Sequence, residues 1–406
     1  MMFRLYLTAL CALAFSCIFG QSSSNTAYAI TSKTYGAQEW TEVKEIDLSN
    51  GQVIRTVFEN SNLYEVFDGR SLRRISVAVK PDSTTQSNFH PFSGLSAACA
   101  YDAKSNRLFY APMFINQLRY IDLRKNVTSV YMFPDEQLWT GVDAEEEANQ
   151  VTRMVIASDG NGYAMSNDGR HLVRFTTSGK PVVTDLGAVV DAPSNGDISI
   201  SDANTSWGGD MIADASGSLI VISAHNHVFR INIDTRISTY ITRINGLPES
   251  FTTNGAVVNS EGNIVVSSAN YLTSYYTVDP HTWQATSVEP RQQVYNTSDL
   301  GNQNLLYQTS FNQSQIASAR EQISVYPNPV KSKTFKVAFA NQIVGNYNVQ
   351  LVDVIGRTVT DGTFAVTTNS QISEVRLNPT LTGGVYIVKV LNARNREVYT
   401  KKIIVE

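Results

Sequence analysis

Between residues 40 and 310 the apolar positions come in short alternating bursts, among them LIVIS, NIVVSS and HVFRINI, separated by Gly, Asn, Asp and Ser. No stretch of this region keeps the period of an amphipathic helix, so the pattern predicts an all-β body. Four segments share one plan: YDAKSNRLFYA (101–111), SDGNGYAMS (158–166), ADASGSLIVIS (213–223) and VNSEGNIVVSS (258–268). Each is a strand end, a turn of residues that tolerate tight or left-handed backbone, and a second strand, which reads as a hairpin. A fainter copy, ENSNLYEVF, lies at 59–67.

A further element follows each hairpin at a nearly fixed offset of 12 to 14 residues. It runs from Leu63 to Ile75, Leu108 to Ile121, Tyr163 to Phe175, Leu219 to Ile231 and Ile264 to Val278, and is predicted as an outer strand. Units of this kind are the signature of a β-propeller. QNLLYQTS (303–310) reads as a third strand without an outer one, and EVKEIDLS (42–49) as an outer strand without a unit. Joined, they predict a six-bladed ring closed by the N-terminal strand, which would hide its unpaired edges.

The last part of the chain changes character. TFKVAF, YNVQLVDV, SEVRL, GVYIVKV and TKKIIVE alternate strictly between Gly and Asn turns, predicting a small Ig-like β-sandwich at 323–406 after a polar linker at 311–322. At the other end, Arg4 precedes an apolar run, Leu5 to Phe19, which is too short to span a bilayer and is followed by Gln21-Ser22-Ser23-Ser24. Residues 1–20 therefore read as a signal peptide and 21–39 as a leader ahead of a propeller at 40–310. Cleavage is expected after Gly20, with Ala27-Tyr28-Ala29 as a second option.

Composition fits a globular exported chain: 42% of residues are hydrophobic and 17% charged. Once Cys11 and Cys17 leave with the signal, Cys99 stands alone, so no internal disulfide is expected and the fold rests on its core. Residues 321–406 hold ten Lys and Arg against six Asp and Glu, which leaves residues 21–320 at −9 in a chain of net charge −4. A body this acidic excludes nucleic acid as partner, because phosphate neutralisation needs clustered Lys and Arg. No transmembrane segment is expected in the mature chain.

VYPNPV (325–330), VQLVDVIGRTV (349–359), LTGGVYIVKV (381–390) and KKIIVE (401–406) together resemble the type A C-terminal sorting domain of type IX secretion cargo from Bacteroidetes. The resemblance covers the last fifth of the chain. It carries the sorting signal onto Tyr326, Pro327, Asn328, Pro329, Gly356, Gly383, Gly384, Tyr386, Lys401 and Lys402. It implies passage through the periplasm, recognition of the tail by the type IX machinery at the outer membrane, and a secreted or cell-surface destination. It further implies removal of the tail near 310–322 and release of the body or its attachment to surface lipopolysaccharide.

Two inter-repeat segments are longer than the others, 134–150 and 190–210. Both follow an outer strand, so both should project from one face on neighbouring blades. They hold ten acids and no Lys, Arg or His, with Trp139 and Trp207 among them. Trp139, Asp143, Glu145, Glu146, Asp197, Asp202, Trp207 and Asp210 form the candidate ligand face. Clustered carboxylates suit Ca²⁺, although neither loop has the spacing of a recognised calcium motif, and no other cofactor is indicated. Acids beside an aromatic also suit a glycan or protein ligand, and the same loops read as solvated connections. His225 and His227 are expected on one strand face, short of a third metal ligand. Asp82-Ser83-Thr84 resembles a short O-glycosylation site.

Nothing reads as a nucleophile elbow, a phosphate loop or a triad. Three functions compete, and the first is favoured because the chain offers loops but no catalytic constellation. A binding propeller requires an acidic face and no buried carboxylate pair. A propeller hydrolase or lactonase requires acids and Asn converging on the central channel with shifted pKa values. A structural component of the cell surface requires an exposed apolar patch.

Overall fold

The innermost strand of the first sheet is also the last strand of its unit. In the computed structural model, which describes residues 24–406 apart from 60–61, 76–89, 93–94, 309–322, 341, 343, 369 and 394, the chain divides into two units, Met1–Leu306 and Tyr307–Glu406. The signal peptide, the linker and the Asp82-Ser83-Thr84 site lie outside the described residues.

In the first unit β1 (Thr26–Thr31), β2 (Glu42–Asp47) and β3 (Val53–Phe58) make three strands of a sheet. β4 (Tyr64–Asp68) and β5 (Arg74–Ile75) extend the sheet formed by β6 (Ser96–Asp102), β7 (Arg107–Pro112), β8 (Arg119–Asp122) and β9 (Thr128–Met132). The next sheet is β10 (Val151–Ile156), β11 (Gly162–Ser166), β12 (Leu172–Phe175) and β13 (Val183–Asp185). β14 (Val190–Asp191) joins the outer edge of the sheet of β15 (Asp210–Ala213), β16 (Ser218–Ile222), β17 (His227–Asn232) and β18 (Ile237–Arg243). β19 (Gly255–Val258), β20 (Ile264–Ser267), β21 (Tyr276–Val278) and β22 (Ala285–Ser287) form another, and β23 (Thr297–Gly301) pairs with β1 to complete the first.

The five innermost strands lie side by side in a closed circuit, β6 to β10 to β15 to β19 to β23 and back to β6. This is a β-propeller with five sheets around the ring among the described residues, where the repeat pattern predicts six. The missing blade is the faint unit at 59–67. Among the described residues its hairpin has no innermost strand, and β4 instead runs parallel to the outer strand β9, with Tyr64 opposite Thr128 and Asp68 opposite Met132. The closing blade also differs in composition. EVKEIDLS is a third strand, followed by β3 as the outer one, and among the described residues of 303–308 only Leu306 makes a bridge, to Asp214. β1 lies in the stretch expected as a leader, and its Ala27 and Ala29 are buried.

The offset that revealed the repeat is a cross-strand register. Leu108 lies opposite Ile121, Leu219 opposite Ile231 and Ile264 opposite Val278. These are second and third strands of a blade, and the true outer strand follows. Alternation sends these side chains into the layers between blades. Tyr28, Ile30 and Phe58 of one sheet pack with Leu108, Tyr110 and Ile121 of the next, and Met165 and Leu172 pack with Leu219 and Phe229. Burying a side chain of this size is worth about 1.5–3 kcal/mol.

Among its described residues the second unit has seven strands: β24 (Ile323–Tyr326), β25 (Thr334–Ala340), β26 (Gly345–Val352), β27 (Thr358–Val366), β28 (Ser370–Arg376), β29 (Gly384–Leu391) and β30 (Glu397–Val405). They form a three-stranded and a four-stranded sheet around one core that includes Phe335, Val337, Leu351, Val388 and Ile403.

Candidate functional site

The two long connections run from an outer strand to the next innermost strand, on one face of the ring, and Asn167 joins them. This residue sits in the turn between β11 and β12. Its side-chain amide donates to the Glu147 carbonyl at 3.3 Å, and its Oδ1 accepts the Gly208 N–H at 2.6 Å. Three of the ten acids of these loops hold local backbone. Asp143 accepts the Glu145 N–H, Asp202 accepts those of Asn204 and Thr205, and Asp191 holds Asn195, Ser199 and Ile200. Glu136 pairs with Arg70 and Lys180. These contacts are Asx-type turns and ion pairs, the ordinary means of shaping a long loop.

Among the candidate residues, Asp143, Glu145, Glu146 and Asp197 are exposed, and Asp202 and Trp207 half-buried. The Trp207 indole N–H donates to the Ser201 carbonyl. Two candidates depart from the expected face. Trp139 is 3% exposed and stacks on His171 with ring centroids 5.2 Å apart, because its loop folds it inward against the apolar layer with Phe133 and Leu138. Asp210 is not a loop acid: it opens β15 and is fully buried. The two histidines of SAHNHVF do not share a strand face either, since His225 lies in the turn and only His227 begins β17. No three His, Cys, Asp or Glu side chains converge as a metal site among the described residues.

At the centre of the ring Asp210 meets Asp299, a residue the sequence pattern did not single out. Their side chains are hydrogen-bonded to each other and both are fully buried. Asp210 Oδ1 accepts the Met211 N–H and Oδ2 the Ala256 N–H of β19, both at 2.6 Å. Asp299 Oδ1 accepts the Leu300 N–H, and Oδ2 the Cys99 N–H of β6. Burial raises Asp210 to about 7, and Asp299 is pushed well up by burial and by its neighbour, so the pair keeps a proton at neutral pH. Gly209 makes the approach possible: it has φ +87°, and a Cβ there would stand 2.0 Å from the Ile222 carbonyl oxygen.

Arg153 of β10 is the positive counterpart. Fully buried, its guanidinium donates to the carbonyls of Ser166, Asn167, Ser206 and Gly208. Burial lowers its pKa to about 10, with Asp210 and Asp168 opposing the shift, so it stays charged. Cys99 is buried beside the pair with its thiol pushed well up by burial, which removes it as a nucleophile. The inner strands of different blades share no ladder, and these side chains supply the bonds between them. The only sequence sign of Asp299 is an acid within the buried strand TSDLG.

The far face of the ring is crossed by the segment after β23. Asn302 and Asn304 both donate to the Val258 carbonyl at 2.8 Å, and Leu306 bonds Ala213 and Ala215 through its N–H and carbonyl. Asn304 also exchanges two bonds with the Ser24 backbone, tying the two ends of the unit together.

In the second unit the Asn328 side chain acts as a strand segment: its Nδ2 donates to the Lys402 carbonyl at 3.1 Å and its Oδ1 accepts the Ile404 N–H at 2.9 Å. Gly356, at φ +86°, closes the β26–β27 turn. Gly384 lies opposite Val405, Tyr386 is buried with its hydroxyl on the Thr382 carbonyl, and Lys401 and Lys402 are exposed. Tyr326 ends β24, partly exposed, next to Pro327 and Pro329.

The molecule is thus an exported two-part protein: a propeller followed by a β module that addresses it. Residues 324–406 match the family described as the secretion system C-terminal sorting domain, which makes the chain type IX secretion cargo bound for the cell surface or the medium. No curated protein matches the sequence. Similar solved structures include PorZ, an essential surface component of the type IX secretion system of Porphyromonas gingivalis, at 14% identity and TM-score 0.32, covering 93% of this chain and 51% of that one. The chain spans about half the length of that structure. Virginiamycin B lyase of Staphylococcus aureus aligns at 12% identity and TM-score 0.31 over 76% of this chain and 83% of its own. Glutaminyl cyclase of Myxococcus xanthus aligns at 11% and 0.32 over 61% and 87%.

Proposed function

We propose that the propeller is a non-enzymatic binding module, carried outside the cell by its sorting domain and engaging a protein or glycan ligand on the face that bears 134–150 and 190–210. The observation that carries this reading is the joining of the two loops through Asn167, which sets Glu145, Glu146, Asp197 and Trp207 on a held surface. Signal-peptide export and outer-membrane crossing in a member of the Bacteroidetes, with loss of the tail near 310–322, belong to the same proposal. Capture by the immobilised full chain, from glycan arrays and host or bacterial surface extracts, tests it. A ligand retained by the wild type and weakened at least tenfold by the combined change E145A, E146A, D197A and W207A is expected. Retention unchanged by that variant overturns it.

A second reading draws on Asp210 and Asp299, since a buried carboxylate pair at the channel is what a propeller hydrolase needs and what the binding reading excluded. Its weakness is physical. All four oxygens accept backbone N–H groups, and hydrogen-bonded carboxylates stand closer than the roughly 5 Å that even a retaining glycosidase leaves between them. The pair resembles an aspartic dyad in sharing a proton, but its full burial leaves a substrate no access. Hydrolysis of lactones or glycosides by the purified chain, lost in Asp299→Asn, would establish the enzymatic reading over the binding one.

A further inference from the structure

Four segments of the second unit that are far apart in sequence meet at one end of its four-stranded sheet. β26 ends where β29 begins, with Val352 opposite Ile387 and Ile387 opposite Lys402. Gly384 lies opposite Val405, and Val330 bridges Val405 from the other side. The 325–330 segment, the 353–357 turn, the start of β29 and the final strand therefore share this end. The exposed large apolar side chains collect there too. Tyr326, Val354, Ile355, Val385 and Ile404 lie at or beside it, and of the described others in this unit only Val344 and Ile372 lie elsewhere.

The extreme case is the turn tip. Val354 is 72% exposed and Ile355 81%, at positions where turn chemistry ordinarily places polar or small residues. The tip is held firmly. Asp353 Oδ1 accepts the N–H groups of Ile355 and Arg357, its Oδ2 takes the Arg357 guanidinium at 3.0 Å, and the Asp353 N–H and carbonyl bond the Arg357 carbonyl and the Gly356 N–H. A rigid apolar knob loses little freedom when it enters a pocket, which is how a preorganised contact gains affinity. Lys331, Arg357 and Lys402 lie at the same end, with Lys331 paired to Glu406 and Arg357 to Asp353.

Building on the sorting reading, we infer that Val354 and Ile355 are the docking element of the sorting domain, inserted into an apolar pocket on a protein of the export machinery. A membrane surface fits less well. Two of the three cations at this end are paired with acids, whereas stable anchoring needs an unpaired polybasic patch beside the apolar one.

Export of the full chain in the producing bacterium tests this, with V354D/I355D, the milder V354T/I355T, I372S and deletion of 323–406 compared. The expected result is a drop of at least tenfold in extracellular protein for the two turn variants, with chain of unchanged urea midpoint held in the periplasm, while I372S exports normally. Normal export of both turn variants, with the deletion blocked, overturns the docking element and leaves the sorting reading standing. Normal export of the deletion overturns both. Purified chain that binds anionic phospholipid vesicles through the turn, losing this with V354T/I355T, assigns the knob to a membrane and overturns the protein pocket.

Discussion

Asp210 and Asp299 are hydrogen-bonded to each other at the centre of the ring, and each also accepts a backbone N–H from the innermost strand of another blade, Ala256 for Asp210 and Cys99 for Asp299. This pair spans β15, β19, β23 and β6. Its proton makes the ring pH-sensitive. Both carboxyls titrate above their unfolded values, so their contribution is fully present below about pH 4 and is lost as pH rises through about 7. The groups facing the pair are Arg153, which opposes the loss, and the protonated Cys99 thiol. Urea unfolding of the full chain should show the propeller transition weakening between pH 5 and 8 by an amount on the order of a few kcal/mol. Asp299→Asn should flatten that dependence, and an unchanged slope in the variant refutes the shared proton.

Asn167 predicts a coupling between loops. Asn167→Ala removes the acceptor for Gly208 and the donor to Glu147, a loss of about 1–3 kcal/mol for buried groups left unpaired. Hydrogen exchange should quicken in both 144–150 and 204–209. Exchange that quickens in only one loop shows that they are not held together.

Leu306 predicts where the first unit ends. It is fully buried and bonded to Ala213 and Ala215, so Leu306→Ala should cost about 2–5 kcal/mol, the usual range for a buried leucine. A melting temperature for the propeller within a degree of wild type would place this segment outside the fold.

The sorting domain offers a parallel test in Asn328. Its two bonds to the last strand are exposed, so Asn328→Ala should cost that unit about 0.5–1.5 kcal/mol. Asn328→Asp, which keeps the acceptor for Ile404 and loses the donor to Lys402, should fall between. Equal stability of all three chains contradicts the strand-like role.

Much of this fold is legible in the sequence because cross-strand partners keep a fixed spacing, as Leu219 and Ile231 do, and because turn residues punctuate each hairpin. The blade count is not legible in the same way. Leu63 to Ile75 has the same spacing, yet what makes a blade is an innermost strand, and the tertiary pairing of β4 with β9 carries no local signal. The site divides similarly. Exposed acids such as Glu145 and Asp197 follow from loop composition, whereas Trp139 turns inward by packing. Asp299 becomes notable only when ring closure sets it against Asp210, 89 positions earlier in the sequence. The tail is legible because VYPNPV, LTGGVYIVKV and KKIIVE together resemble a known sorting domain, although their pairing, as of Asn328 with Ile404, is long-range.

The most direct test of the account is mass spectrometry of the mature ends of the protein recovered outside the cells of its producer. Ser24 and Leu306 are both bonded into the propeller, so the mature chain should begin no later than Ser24 and end between Leu306 and Ile323. A chain that begins after Ala29 contradicts the ring closure through β1, and a surface protein still ending at Glu406 contradicts the removable sorting tail.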